Sequence, residues 1–418
     1  MCGELFMLKS VNALIAASVL AGVASHSAFA FEDSRVMPKG VRRLSFRFVN
    51  TNITQKTDGN GYGLELEKPL EKPLTFKDII KGEKDLVKKQ LTTGYLTSEN
   101  FAQTDSVGDF KADITSKVNV YAPILTYGLT DAITIAAAMP IYDMRMSVAT
   151  GFRTSDTGQR FLESLANPYN NQTASARDAG DKINNAVGRL NTKLTDNGYS
   201  TLQDWRGRGI GDTQMLAKYR YLDGEYAKSA LTAGFLAPTG RLDDPDNLID
   251  KGFGDGQWDI FGQVALDEPL LDTGITFNQS VKYTNQLPGK KTMRMVTRDE
   301  AIEVPKQEVK FKLGDKIEAA VAAQMESEMG FGGGIGYNFY TKQKDIYKVP
   351  QATKEKVEDS TFERSHQAEF ELVYSGVPAF KRKQIPVPFE TKLAYKRQLS
   401  SRNMPITHFV QFDCGVFF

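Results

Sequence analysis

Apolar and polar residues alternate with period two in twelve separate stretches of this chain. The last of them, Met404 to Phe418, is the clearest. Val410, Phe412, Cys414, Val416 and Phe418 share one face. Thr407, Gln411, Asp413 and Gly415 share the other, with Phe409 as the exception. Alternation of this kind places successive side chains on opposite faces of an extended strand. A strand with one apolar face, one polar face and an aromatic last residue fits the closing strand of a membrane barrel. Such a strand needs a lipid face, a wet face and a partner on each edge.

The other eleven stretches fall at 41–50, 111–127, 131–147, 211–222, 228–238, 257–267, 273–285, 315–328, 331–342, 364–375 and 387–398. In the first, Leu44, Phe46 and Phe48 oppose Arg43, Ser45 and Arg47. In the second, the pattern assigns Ile114, Val118, Val120, Ala122 and Ile124 to lipid, and Asp113, Thr115, Lys117, Asn119 and Tyr121 to the lumen. Pro123 and Pro140 lack a ladder donor and predict bulges or strand ends. Short turns follow the even-numbered strands, at Gly128 to Asp131, Asp223-Gly224, Leu271-Asp272 and Met329-Gly330, with a longer one at Gly376 to Pro386. Long connections follow the odd-numbered ones. An even count with short turns at one end and long loops at the other predicts an all-β fold. It is a transmembrane antiparallel up-and-down barrel of about twelve strands (12–14), with both termini periplasmic. A soluble β-sandwich also has many short strands, but it does not need aromatic residues at strand ends.

Two of the loops are long enough to carry helices. In 51–110, Phe76, Ile79, Ile80, Val87 and Leu91 stand near helical spacing. In 150–210, Ile183, Val187, Leu190 and Leu194 follow i, i+4, i+7, i+11 and predict one amphipathic helix. Two readings stay open: a solvated cap, or apolar helix faces folded over the barrel mouth as a greasy entrance.

Composition narrows the class. The 418 residues are 41% hydrophobic with a formal net charge of +1, and a mean hydropathy of -0.37. A barrel tolerates that value because only alternate residues meet lipid. Residues 1–30 read as a signal peptide, with Lys9, an apolar core from Val11 to Ser25 and an Ala28-Phe29-Ala30 cleavage site. Residues 31–418 then form the barrel, exported to the outer membrane of a Gram-negative-type bacterium. Beyond the signal, no apolar run approaches the about 18 residues of a membrane helix. Near-neutral charge gives no support to nucleic-acid binding. Cys2 and Cys414 alone rule out a disulfide framework, and Cys414 reads as a lipid-facing apolar residue.

The chain is poor in catalytic chemistry, and no enzyme activity, cofactor or metal is expected. His366 and His408 fall on outward faces near strand ends, and no G-x-S-x-G elbow accompanies them. Asp243, Asp244, Asp246, Asp250 and Asp255 crowd one loop, without EF-hand spacing. Gly332-Gly333-Gly334-Ile335-Gly336 lies inside a strand pattern, where glycine gives a bend or close packing. What remains is the inward-facing charge. Arg43, Arg47, Lys117, Lys218, Arg220, Lys282, Lys392 and Lys396 are basic. Asp113, Asp259, Glu318, Glu326, Glu369, Glu371, Glu390 and Asp413 are acidic. Pairing across neighbouring strands would brace a narrow, hydrated lumen.

GIGDTQMLAKYRYL (209–222), LTAGFLAPTGRLDDPDN (231–247) and GDGQWDIFGQVALDEPL (254–270) resemble outer-membrane proteins of the meta-pathway of phenol degradation. AAAMPIYDM (136–144) fits the same pattern. That family is distantly similar to the long-chain fatty-acid channels, and the resemblance covers roughly 110–285. It implies an outer-membrane channel for hydrophobic compounds. The fatty-acid channels carry a plug before the first strand; here residues 31–40 stand between the signal and that strand. The favoured function is passive uptake of small hydrophobic or aromatic solutes. A polar porin and a closed surface-recognition barrel are the alternatives. Outer-membrane lipid, a small hydrophobic solute and the barrel assembly machinery are the expected partners.

Overall fold

The structure is a computed structural model that describes residues 33–418, apart from 69, 171, 271–272 and 295–303. The signal segment 1–30 and the Leu271-Asp272 turn lie outside the described residues. Strand β1 (Arg42–Ile53) pairs with β2 (Ser106–Gly128) on one edge. Its other edge takes β17 (His408–Phe417), which closes the ring. Between them run β3 (Ile133–Ala138), β4 (Ile141–Thr154), β5 (Trp205–Ile210), β6 (Thr213–Asp223), β7 (Lys228–Ala237), β8 (Asp259–Leu270) and β9 (Ile275–Gln286). Then follow β10 (Gly289–Arg294), β11 (Lys306–Lys312), β12 (Lys316–Glu326), β13 (Phe331–Lys342), β14 (Ile346–Tyr347), β15 (Glu363–Ser375) and β16 (Phe389–Arg402). The ring is a closed antiparallel barrel of twelve strands. Strands β10, β11 and β14 form a separate small sheet in the loops.

Two of the twelve wall strands are broken. Pro140 separates β3 from β4, and Gly211-Asp212 separates β5 from β6. Strand β2 therefore changes partner. It pairs with β3 over Ile124–Gly128 and with β4 over Gly108–Tyr121. Pro123, which has no N–H to donate, stands at the change. The expected strand end is found at Pro140 but not at Pro123: β2 runs through it in unbroken register with β1, and only the partner on its other edge changes.

The outward face carries the apolar belt, with Leu44, Phe46, Ile260, Val264, Ile335 and Phe370 all exposed. Cys414 sits beside Phe46 on that face. One stretch departs from its expected orientation. Ile114, Val118, Val120, Ala122 and Ile124 are buried inside, whereas Thr115, Lys117 and Asp113 point outward. Register decides the matter, because Ala122 pairs with inward Arg47 and Pro123 with outward Phe46. From 120 to 127 both faces are apolar, with Tyr121, Pro123, Leu125 and Tyr127 against lipid, so local alternation is ambiguous. Above Tyr121 the strand leaves the hydrocarbon layer, and its outer face becomes polar.

The long loops carry helices α1 (Phe76–Gly82), α2 (Leu86–Ser98), α3 (Asp156–Ala166), α4 (Ala174–Asn184), α5 (Ala186–Asp196), α6 (Gln351–Glu358) and α7 (Val377–Lys381). Thr75 and Asp78 form a capping box on α1, and Ser155 and Thr173 cap α3 and α4. The single helix expected across Ile183 to Leu194 is two. The chain turns at Asn185, whose side chain makes no cap bond to α5. The break lets Ile183 and Leu194 enter different cores. Ile183 joins Phe76, Tyr95, Leu96 and Phe161 in a cap core of α1 to α4. Leu194 joins a cluster at the barrel mouth. Phe76, Ile79 and Ile183 are thus buried within the cap itself, while Leu86, Val87 and Leu91 of α2 stay exposed.

Candidate solute pathway

At the end of the barrel where the short turns lie, residues 33–40 enter it. The Ser34 amide donates to Asp267 Oδ2 at 2.8 Å, and Ser34 is buried. Lys218 Nζ donates to the Asp33 carbonyl at 2.8 Å. The Met37 amide donates to Thr134 Oγ1 and the Gly40 amide to the Gly128 carbonyl. Residues 33–40 thus occupy this end of the barrel.

Above it, ion pairs line one side of the bore. Arg47 holds Asp413 through two bonds of 2.7 Å, and the two are direct cross-strand partners. Lys282 meets Glu318 at 2.9 Å, Lys396 meets Glu369 at 3.1 Å and Lys392 meets Glu371 at 2.8 Å. Lys316 reaches Asp259 at 3.5 Å. Arg43 crosses β17 to reach Glu390 at 2.9 Å. It passes over Gly415, where a Cβ would stand 2.6 Å from its Nε. Lys218 and Arg220 also face inward, and Arg220 pairs with Asp223 at 2.9 Å. Lys117 is the correction. It lies opposite exposed Asn52 on the outer face, because β2 presents its even-numbered residues to the lumen.

The wall beside it, on β2 and β3, is different. Val120, Ala122, Ile124, Ala136 and Ala138 point inward and are buried, with Thr126 and Thr134 as the polar members, and Lys218 on β6 stands next to Thr134. This weakly polar stripe runs up into a cluster at the extracellular mouth. Ile53, Ile114, Val118, Tyr142, Met144, Met146 and Phe409 come from the inner wall, and Leu194, Leu248, Ile249 and Phe253 come from loops. The Phe253 ring stacks on Tyr142 with centroids 5.5 Å apart and planes 3° from parallel. Gly207 and Gly209 leave room for that ring, since a Cβ there would come within 2.9 and 3.0 Å of it. Phe409 breaks its strand's alternation because it belongs to this cluster. It was a visible signal in the sequence, while Phe253 gave none.

The loop 238–258 bridges the broken wall. Asp212 accepts hydrogen bonds from the Gly240 amide at 2.9 Å and the Asp255 amide at 3.3 Å. Burial, with Asp255 nearby, pushes the Asp212 pKa up to about 7. Lys251 in the same loop is buried, and burial lowers its pKa to about 7. The signs oppose. Asp212, raised in the folded state, contributes stability that is present at low pH and is lost as pH rises through about 7. Lys251, lowered in the folded state, favours folding when neutral, so its contribution is lost as pH falls through about 7. The loop should therefore be least protected from proteolysis near neutral pH. Asp212→Asn is expected to flatten the acidic branch of that profile and Lys251→Met the alkaline branch. A wild-type profile with no maximum contradicts this assignment.

The remaining candidates hold no chemistry of their own. Arg241 clamps Asp250 with two bonds of 2.6 Å, and Arg294 and Lys306 hold Asp246. No cluster of three metal-ligating side chains occurs among the described residues. His366 faces outward between Tyr337 and Phe339.

No family model matches the chain, and no curated protein matches it in sequence. In shape it is similar to the COG4313 outer membrane channel from Pseudomonas putida F1. That match has 12% identity and a TM-score of 0.52, and covers 93% of this chain and 100% of that one. A Pseudomonas aeruginosa FadL homologue aligns at 8% identity over 91% of this chain and 90% of its own. The Ralstonia pickettii toluene transporter TbuX aligns at 9% over 97% and 98%. Both have TM-scores of 0.34, too far apart in geometry to place any residue. The likeness to the COG4313 channel bears on the fold: this chain is a closed, transmembrane-type antiparallel β-barrel of twelve strands.

Proposed function

We propose that the protein is a passive outer-membrane channel for small hydrophobic or aromatic solutes. The observation that carries this reading is the weakly polar stripe of Val120, Ala122, Ile124, Ala136 and Ala138, continuous with the apolar mouth cluster. An apolar solute meets a surface there that costs little to desolvate. The charges on the rest of the wall are engaged with one another, so they brace the barrel and leave few free sites for a polar solute. This, with residues 33–40 inside the periplasmic end, disfavours an open polar porin.

The test is uptake of a radiolabelled monoaromatic hydrocarbon by cells with an intact lipopolysaccharide leaflet. That leaflet, unlike a phospholipid bilayer, resists apolar solutes. Expression should accelerate hydrocarbon uptake and leave the uptake of a sugar of similar size unchanged. Faster sugar entry with no hydrocarbon gain defeats the proposal.

A further inference from the structure

On the outer face near the periplasmic rim, a groove of about 600 Å³ opens between β9, β12, β13, β15 and β16. Ile275, Met325, Ile335, Leu372 and Leu393 line it, and Gly333 stands at its centre. Gly333 shares the outward face of Phe331 and Ile335, both exposed, and lies in register between Met325 and Leu372. Its missing side chain makes the notch. β13 pairs without interruption on both edges.

Just below the groove, Phe331, Tyr374 and Phe389 form a row with centroids 4.7 and 5.7 Å apart. Aromatic rows of this kind mark the boundary between hydrocarbon and head groups. Below that row comes the loop after β15, the longest of the described connections at this end. It carries Lys381, Arg382 and Lys383 in succession, all exposed. The Arg382 guanidinium donates to the Glu328 carbonyl, in the turn that joins β12 to β13. The basic loop is thereby fastened beneath the groove. The ammonium groups of Lys381 and Lys383 make no ion pair with the protein among the described residues. Lys383 stands at φ 57°, a left-handed conformation kept by a lysine where glycine would be the easy choice.

We propose that this face is a binding site for an anionic phospholipid of the periplasmic leaflet. One acyl chain lies in the Gly333 groove, and the phosphate meets Lys381 and Lys383. Depth and charge choose the occupant. The groove sits in the hydrocarbon layer, and the cations sit beyond the end of β15, in α7 and the loop that follows it, at head-group level. A soluble partner would not reach the groove, and a neutral lipid would not use the lysines.

The test is native mass spectrometry of the purified barrel in detergent, with dioleoylphosphatidylglycerol or dioleoylphosphatidylethanolamine added. The wild-type barrel should retain the anionic lipid roughly ten-fold better. Lys381→Gln with Lys383→Gln should bring the two lipids to the same level. Ala323→Phe, which adds bulk on the groove wall facing lipid, should lower the retention of both. Heat-modifiable migration on gels confirms that each variant is folded. Equal retention of the two lipids by the wild type overturns the proposal. So does a preference that survives the lysine changes, or retention that Ala323→Phe leaves untouched.

Discussion

Arg47→Leu is expected to cost the barrel about 3 kcal/mol, the scale for removing one partner of a buried ion pair. Arg47 and Asp413 join the first strand to the last, and both side chains are about nine-tenths buried. Among the described residues, the substitution leaves the Asp413 carboxylate with Gln411 Nε2 at 3.0 Å as a donor. A buried carboxylate deprived of its cation must be hydrated or protonated, and either weakens the seam that closes the ring. The double variant Arg47→Leu with Asp413→Leu should recover most of the loss, because no charge is then stranded. Urea unfolding in detergent, followed by the loss of heat-modifiable migration, reads both. If the single variant unfolds with the wild type, the seam does not depend on this pair.

Ala138→Asp is expected to lower hydrocarbon uptake roughly 30-fold or more, through a desolvation cost of about 2 kcal/mol or above. Ala138 faces the bore on the weakly polar stripe, beside Ala136 and Ile124. A carboxylate there holds water that an apolar solute must displace. Ala138→Ser should have a far smaller effect, since a hydroxyl finds hydrogen-bond partners on the backbone and is cheaper to desolvate. Uptake by whole cells, normalised to the amount of folded barrel, distinguishes the two. Equal uptake by the Asp and Ser variants would place the solute's route elsewhere.

Much of the barrel was legible because each wall strand must satisfy lipid on one face and water on the other. The eight residues from Met215 to Leu222 and the run from Lys316 to Glu326 need only that constraint to be read correctly. Strand β2 escaped it. Between Val120 and Tyr127 both faces are apolar, since the inner one belongs to the weakly polar stripe. Above Tyr121 the outer one is polar, since lipid has ended. Its parity follows only from its register with β1. The inward placement of Lys282, Glu318, Glu369, Glu371, Lys392 and Asp413 came from the same alternation, and their pairing follows from the register. The mouth cluster was not legible. Tyr142, Phe253 and Leu194 lie far apart in the chain, and only the fold brings them together. The helix break at Asn185 likewise serves two separate cores that no local periodicity reveals.

The measurement closest to the central claim uses one preparation in an asymmetric planar membrane with lipopolysaccharide in the outer leaflet. Ion conductance and the flux of an aromatic hydrocarbon are recorded together. A bore braced by ion pairs and entered by residues 33–40 should conduct ions weakly while the hydrocarbon crosses well above the protein-free rate. A large steady conductance with hydrocarbon flux at the protein-free level would contradict the account.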